Sequence, residues 1–346
     1  MTLPRTILVV LNCAALFFMV LFSACQMEAA QPASLATELS VQVIPLSGPL
    51  AGRKAEISGM AWYGDFLVLL PQYPHKFGNA IFAISKQEIL DYLSGITAEP
   101  ITPVRIQIET LILKKRLRGY EGFEAIAFSG NQVFFTLETR PGAMQGYLVI
   151  GTISTDMKRI GLQYELELIP PQARLENYTD EAILVYQNQV FTIFEANGVR
   201  ANPAPIAHRF DMNGFPLESV IFPNVEYRLT DVSEPDINGI FWALNVFFPM
   251  DVFKLNPATD FLAHTYGEGV THSQNRSVER LVAFQILEQK IILADIPPIQ
   301  LALESSLITR NWEALAALDQ RGFLIATDKF PQTQLGFVPY PASPQP

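Results

Sequence analysis

The chain has 346 residues, of which 49% are hydrophobic, 11% aromatic and only 17% charged, a balance that supplies a large core and excludes intrinsic disorder. The net charge is −10 and no long basic stripe occurs, which argues against a nucleic-acid partner, because backbone phosphates are held by clustered Lys and Arg. The 25 prolines and 20 glycines are scattered, as many short strands separated by turns require.

At the N-terminus, Arg5 supplies a short positive region and Ile7 to Phe22 is a nearly unbroken apolar run. Leu21-Phe22-Ser23-Ala24-Cys25 follows, with small residues just before a cysteine, in the order of an export signal rather than of a structural helix. Its end resembles a bacterial lipobox, although Phe22 stands where a smaller aliphatic residue is usual. The resemblance implies acylation of Cys25 and attachment to a lipid bilayer on the extracytoplasmic side. A plain signal peptide and an uncleaved anchor helix are the alternatives. Cys13 lies inside the signal, so the mature chain carries Cys25 alone and has no disulfide framework. Residues 1–25 therefore read as the signal, 26–37 as a flexible tether, 38–340 as one folded domain and 341–346 as a Pro-rich, frayed tail.

Within the folded domain a pattern returns: a polar or acidic residue, an apolar run, a tight turn, and a second apolar run ending in another polar residue. The copies run from Ser58 to Gln72, Glu124 to Glu138, Glu181 to Glu195, Asp231 to Asn245, more loosely Glu279 to Asp295, and Glu313 to Asp328. Gly64-Asp65, Gly130-Asn131 and Asn238-Gly239 are turn chemistry between β-rich runs, so each copy reads as a hairpin. Further strands follow at Ala80 to Ser85 and Tyr147 to Ile153. The last copy has strands at Glu313 to Leu318, Gly322 to Thr327 and Gln334 to Val338 and lacks a fourth, which the alternating Glu38 to Leu46 can supply. The expectation is an all-β, six-bladed β-propeller in which N- and C-terminal strands close one blade. A seven-bladed ring and a β-sandwich are the rival architectures.

With the turn near the seventh residue, positions 0 and 14 of a hairpin lie opposite each other at its open end. Glu124 is then expected to face Glu138, Glu181 to face Glu195, Asp231 to face Asn245 and Glu313 to face Asp328. Ser58 and Gln72 form the neutral version. Two concentric polar rings result at one mouth of the channel. Facing carboxylates repel unless a cation, a shared proton or donated hydrogen bonds intervene. A hard cation such as Ca²⁺ takes 6–8 oxygen ligands, which such a ring could offer. The bland reading is that these residues cap loop amides. Arg228 lies near the same mouth and is expected to pair with a ring carboxylate or to hold an anionic ligand. Lys114-Lys115-Arg116-Leu117-Arg118 reads as decoration of an outer strand or loop. Trp62, Trp242 and Trp312 read as blade packing, and the four histidines as isolated. No Gly-x-Ser-x-Gly elbow, nucleotide-binding loop or zinc cysteine set occurs, so a nucleotide cofactor is not expected.

Gly122-Phe123-Glu124-Ala125-Ile126-Ala127-Phe128 and Asn311-Trp312-Glu313-Ala314-Leu315 resemble the blade starts of the phytase-like (esterase-like activity of phytase) propeller proteins. In the related gluconolactonase-like propellers a Glu at the start of an inner strand ligates a metal. That resemblance implies the same role for Glu124, Glu181 or Glu313. The chain departs from both families at Ser58 and in having no general-base His. Three functions are compatible with the sequence: a lipid-anchored protein binding a cation or small polar ligand, a metal-dependent phosphoester, ester or lactone hydrolase, and a protein–protein scaffold.

Overall fold

The computed structural model describes residues 35–52, 55–304 and 309–341. The signal segment, Cys25 and residues 342–346 lie outside them.

The apolar runs form strands because β-branched and aromatic residues alternate across a pleat buried on both faces. Blade 1 consists of β3 (Ile57–Tyr63), β4 (Phe66–Pro71), β5 (Ala80–Ser85) and β6 (Val104–Ile108), with β1 (Glu38–Leu39) and β2 (Gln42–Ile44) preceding them in the chain. Blade 2 follows with β7 (Tyr120–Ser129), β8 (Gln132–Thr139), β9 (Gln145–Ile153) and β10 (Arg159–Ile169). A short parallel pairing of β10 with β6 joins these two blades at their outer edges. Blade 3 is β11 (Asp180–Tyr186), β12 (Gln189–Phe194), β13 (Ile206–Asp211) and β14 (Pro216–Ile221). Blade 4 is β15 (Arg228–Val232), β16 (Ile240–Phe247) and β17 (Val278–Ile286), flanked by β18 (Ile291–Leu293) and β19 (Ile299–Leu301). Blade 5 is β20 (Trp312–Leu318), β21 (Gly322–Thr327) and β22 (Leu335–Pro339), and β2 pairs antiparallel with β22 as its fourth strand. The inner strands touch in the cyclic order β3, β7, β11, β15, β20 and back to β3.

Among the described residues the blades therefore number five, which corrects the expected six. The hairpin read from Glu279 to Asp295 does not open a blade. Its first run, β17, pairs along its whole length with β16 as the third strand of blade 4. An insertion of short helices between Phe247 and Val278 separates the two in sequence and imitates the spacing of a new repeat. Glu279 itself is buried between blades, where its carboxylate accepts from Arg310 Nε (2.9 Å) and Trp312 Nε1 (2.7 Å). The basic run at residues 114–118 belongs to the helix Leu111–Arg116 and the loop after it, which link β6 to β7.

Apolar side chains from adjacent sheets fill the space between blades, such as Leu244, Leu281, Leu315 and Phe323 between blades 4 and 5. Trp312 is fully buried there. Its replacement by alanine is expected to lower stability by roughly 3–5 kcal/mol, from lost burial and an unsatisfied Glu279, as urea denaturation would measure.

Candidate functional site

Every inner strand carries a one-residue bulge near its start. The extra residues are Ser58, Glu124, Glu181, Thr230 and Glu313, and β7 has a second bulge at Glu121. A bulge leaves its extra residue out of the ladder and re-aims the side chain, here bringing Ser58, Glu124, Glu181 and Glu313 into one mouth of the channel. The polar ring is thus built by backbone irregularity repeated in each blade. Two of its members are hydroxyls with one structural task. Ser58 Oγ donates to Phe123 O (2.8 Å) and Thr230 Oγ1 to Trp312 O (2.7 Å), each tying its blade to the next.

Blade 4 corrects two expected site residues. Asp231 lies one position past the bulge, and Asn245 pairs with Leu229, one residue before it. The expected facing of first and last residues fails in the other blades as well, because the bulge shifts the register: Glu138 lies opposite Gly122 rather than Glu124, Glu195 opposite Thr179 and Asp328 opposite Asn311. The residue equivalent to Glu138, Glu195 and Asp328 is Val246, opposite Arg228. A slip of one residue turns a strand side chain to the other face. Asp231 accordingly points away from the ring and accepts the Leu315 amide (2.7 Å). Asn245 Nδ2 donates to Glu226 O and Arg228 O (3.0 Å each), and its Oδ1 accepts from Arg280. Both are structural braces outside the cavity.

The other expected residues converge. Glu124, Glu138, Glu181, Glu195, Arg228, Glu313 and Asp328 line one cavity of about 300 Å³ at the mouth of the channel. Ser58, Gln72, Glu56, Glu121, Asn177, Asp251, Lys254, Asn311 and Lys329 complete it, with Tyr73 and Tyr178 as its only aromatic walls. Nine carboxylates thus meet three basic side chains.

Arg228 occupies the centre of this charge. Its Nε donates to Glu195 Oε1, Nη1 to Asn311 Oδ1 (3.0 Å) and Nη2 to Glu313 Oε1 (2.9 Å), with Glu181 Oε2 3.5 Å from Nη2. Glu124 accepts from Gln72 Nε2 (3.0 Å) and Glu138 from Thr179 Oγ1 (3.2 Å), both neutral donors. Gly122 permits the first contact: a Cβ there would collide with Gln72, and its φ of 136° suits glycine. Glu56, near the rim, is paired with Lys76 (3.0 Å) and Lys329 (2.9 Å).

One guanidinium cannot compensate four buried glutamates and the partly buried Glu313. Burial, with the neighbouring Glu138 adding to it, drives the Glu124 carboxyl well above its ordinary range. Burial and Glu195 push Glu138 up to about 7. Burial likewise raises Glu181 well above the usual value. Burial raises Glu313 to about 7 despite the opposing pull of Arg228. Glu195 is raised by burial but is opposed by its direct bond to Arg228. Burial also raises Glu56, and Lys329 and Lys76 outweigh it and hold that carboxyl below its usual range. The ring therefore sets glutamates that hold their protons more tightly than usual around one shared arginine, the arrangement from which acid and base roles or cation capture arise.

The donor set does not fit Ca²⁺ in this arrangement. Arg228 stands where a cation would sit, and among the described residues no three His, Cys, Asp or Glu side chains converge in a metal-holding geometry. The rim tyrosines show a different preference. Lys76 Nζ lies 3.8 Å from the Tyr73 ring centroid, and Lys254 Nζ lies 5.4 Å from that of Tyr178. Tyr73, Tyr178, Glu56 and Thr230 escape the sequence reading, because only Thr230 sits at a repeat position and it was displaced by the slip in blade 4.

No protein-family model matches the chain, and no curated protein matches it. Among solved structures, the chain is similar to a glucose dehydrogenase at 10% identity and a TM-score of 0.44, covering 88% of this chain and 100% of that one. It is similar to the soluble aldose sugar dehydrogenase of Escherichia coli at 9% identity and a TM-score of 0.43, covering 89% and 100%. It is also similar to the Bombyx mori GH32 β-fructofuranosidase BmSUC1 at 10% identity and a TM-score of 0.43, covering 86% and 61%. These similarities do not single out the phytase-like or gluconolactonase-like families.

Proposed function

We propose that the protein is an exported, lipid-anchored β-propeller whose acidic mouth binds a small, polar organic cation. The observation that carries this reading is the charge deficit of the cavity: four buried glutamates, Glu124, Glu138, Glu181 and Glu195, and the partly buried Glu313 surround one guanidinium. An amine or guanidine of the ligand would take over from the protons that neutralise Glu124, Glu138 and Glu181. The faces of Tyr73 and Tyr178 would flank it, and Asn177 and Asn311 would bond its remaining polar groups. Ca²⁺ is the competing cation and would require Arg228 to move aside.

Calorimetric titration of the whole chain near neutral pH, with a short aliphatic diamine and separately with Ca²⁺, tests this. The diamine is expected to bind with release of protons, and at a hundredfold excess over Kd to stabilise the fold by roughly 2.7 kcal/mol. Binding of Ca²⁺ alone, or of neither, would overturn the reading. Mass determination of the mature N-terminus tests the anchor, with diacylated Cys25 as the expected terminal residue.

The poised carboxylates support a second reading, the hydrolase that the phytase-like resemblance implies, run here as acid–base catalysis. Glu138 or Glu313, held near neutrality, would donate a proton, with Glu195 and its direct bond to Arg228 beside them. Turnover of aryl phosphates or lactones that disappears in Glu138→Gln and Glu313→Gln would favour it.

A further inference from the structure

The insertion between β16 and β17 has exposed apolar side chains that the ligand site does not use. Met250 (73% exposed) and Phe253 (81%) lie three residues apart, and Phe261 (63%) and Val270 (49%) follow. The segment is held firmly underneath. Leu255 and Leu262 are buried, and Asp260 accepts the Leu262 amide (3.0 Å) while pairing with the buried Arg280 (2.7 Å). A rigid base carrying exposed Phe and Met is the build of a docking surface.

The N-terminal chain enters the fold at this same insertion. The Ala36 amide donates to Glu268 O (2.9 Å), and Glu38 accepts from the Thr271 amide (3.0 Å) and bonds His272 Nδ1 (2.7 Å). Cys25 precedes Leu35, the first described residue, by ten positions, a span of at most roughly 35 Å when fully extended. An acyl chain on Cys25 would therefore keep this side of the molecule within reach of the lipid.

We propose that the insertion docks on the bilayer that receives the acylated Cys25, with Met250, Phe253 and Phe261 entering the headgroup region. The insertion leaves blade 4 at the end where the acidic ring lies, since Val246, Arg228 and Glu279 are register partners. Docking thus sets the acidic mouth beside the membrane. An acyl anchor on a tether holds the chain near lipid without orienting it, and a second apolar contact fixes the orientation and strengthens the attachment. The acidic Asp251, Asp260 and Glu268 offset Lys254 and Arg276 within the segment, so the contact is apolar rather than charge-driven.

The test uses the intact lipid-modified chain in phosphatidylcholine vesicles containing spin-labelled lipid. Phe253→Trp and, as a second reporter, Phe261→Trp are compared with Ile237→Trp, at the opposite end of blade 4 and 92% exposed. After subtraction of the three native tryptophans, fluorescence at 253 and 261 is expected to be quenched severalfold more than at 237. Equal quenching at all three positions, or none at 253 and 261, would overturn the proposal. So would a mature chain whose mass shows no lipid on Cys25.

Discussion

Replacing Arg228 by methionine is expected to lower stability by roughly 3–5 kcal/mol near neutral pH, the cost of removing one partner from a buried ion cluster. Three glutamates lose their only cationic partner at once. Glu195 is affected most, because its Oε1 takes the Arg228 Nε directly and its Oε2 has no hydrogen-bond partner. The loss should shrink near pH 5, because protonation then neutralises the orphaned carboxylates. Urea denaturation of wild type and Arg228→Met at the two pH values checks this. A pH-independent loss would mean that packing of the arginine stem, rather than its charge, is what matters.

The double variant Glu124→Gln, Glu138→Gln is expected to have the opposite effect: higher stability at about pH 8, little change at about pH 5, and no binding of the diamine. The reasoning follows the protons. Glu138 has a folded-state pKa of about 7 against an ordinary 4.5, so the folded chain keeps a proton that the unfolded chain gives up across that interval. Its contribution to stability is therefore intact below about pH 4.5 and is lost as pH rises toward 7, by on the order of 3 kcal/mol for this one group. Glu313 behaves in the same sense. A glutamine keeps the shape and cannot ionise, so it removes the penalty at high pH. A site that destabilises the free protein yet serves a ligand is the usual compromise between stability and function. Melting temperature and calorimetry on the same samples measure both halves. A double variant less stable at pH 8 than wild type would contradict the account.

Much of the architecture was legible in the sequence because turn chemistry is local. Gly64-Asp65 and Gly130-Asn131 do separate strands, Ala80–Ser85 and Gly322–Thr327 match the expected bounds, and the homeless N-terminal segment does contain the strand that completes the last blade. The number of blades was not legible. Acidic Glu279 at the head of an apolar run resembles a blade start, and only the pairing of β17 with β16 shows that its carboxylate serves an interblade contact with Arg310 and Trp312.

The acidic residues of blades 2, 3 and 5 were legible from the repeat, but they do not face one another across the hairpins as expected, and their positioning device was invisible. Bulges at Glu124, Glu181 and Glu313 are properties of paired strands, and an unpaired sequence shows no register. The same blindness moved the blade 4 ring position from Thr230 to Asp231. Ser58 carried the missing hint, since a hydroxyl at that position already showed that the repeat tolerates one. Tyr73, Tyr178 and Glu56 come from loops and strand edges whose approach to the mouth depends on the closed ring.

The direct test of the under-compensated ring is a carbon-13 NMR titration of glutamate carboxyls in the free protein, with Glu138→Gln and Glu313→Gln used to assign the signals. Two carboxyls titrating near pH 7, with midpoints that fall when the diamine is added, are the predicted result. Midpoints for both within the ordinary range around 4.5 would show that solvent or Arg228 neutralises the mouth, and the proposed cation site would fall with them.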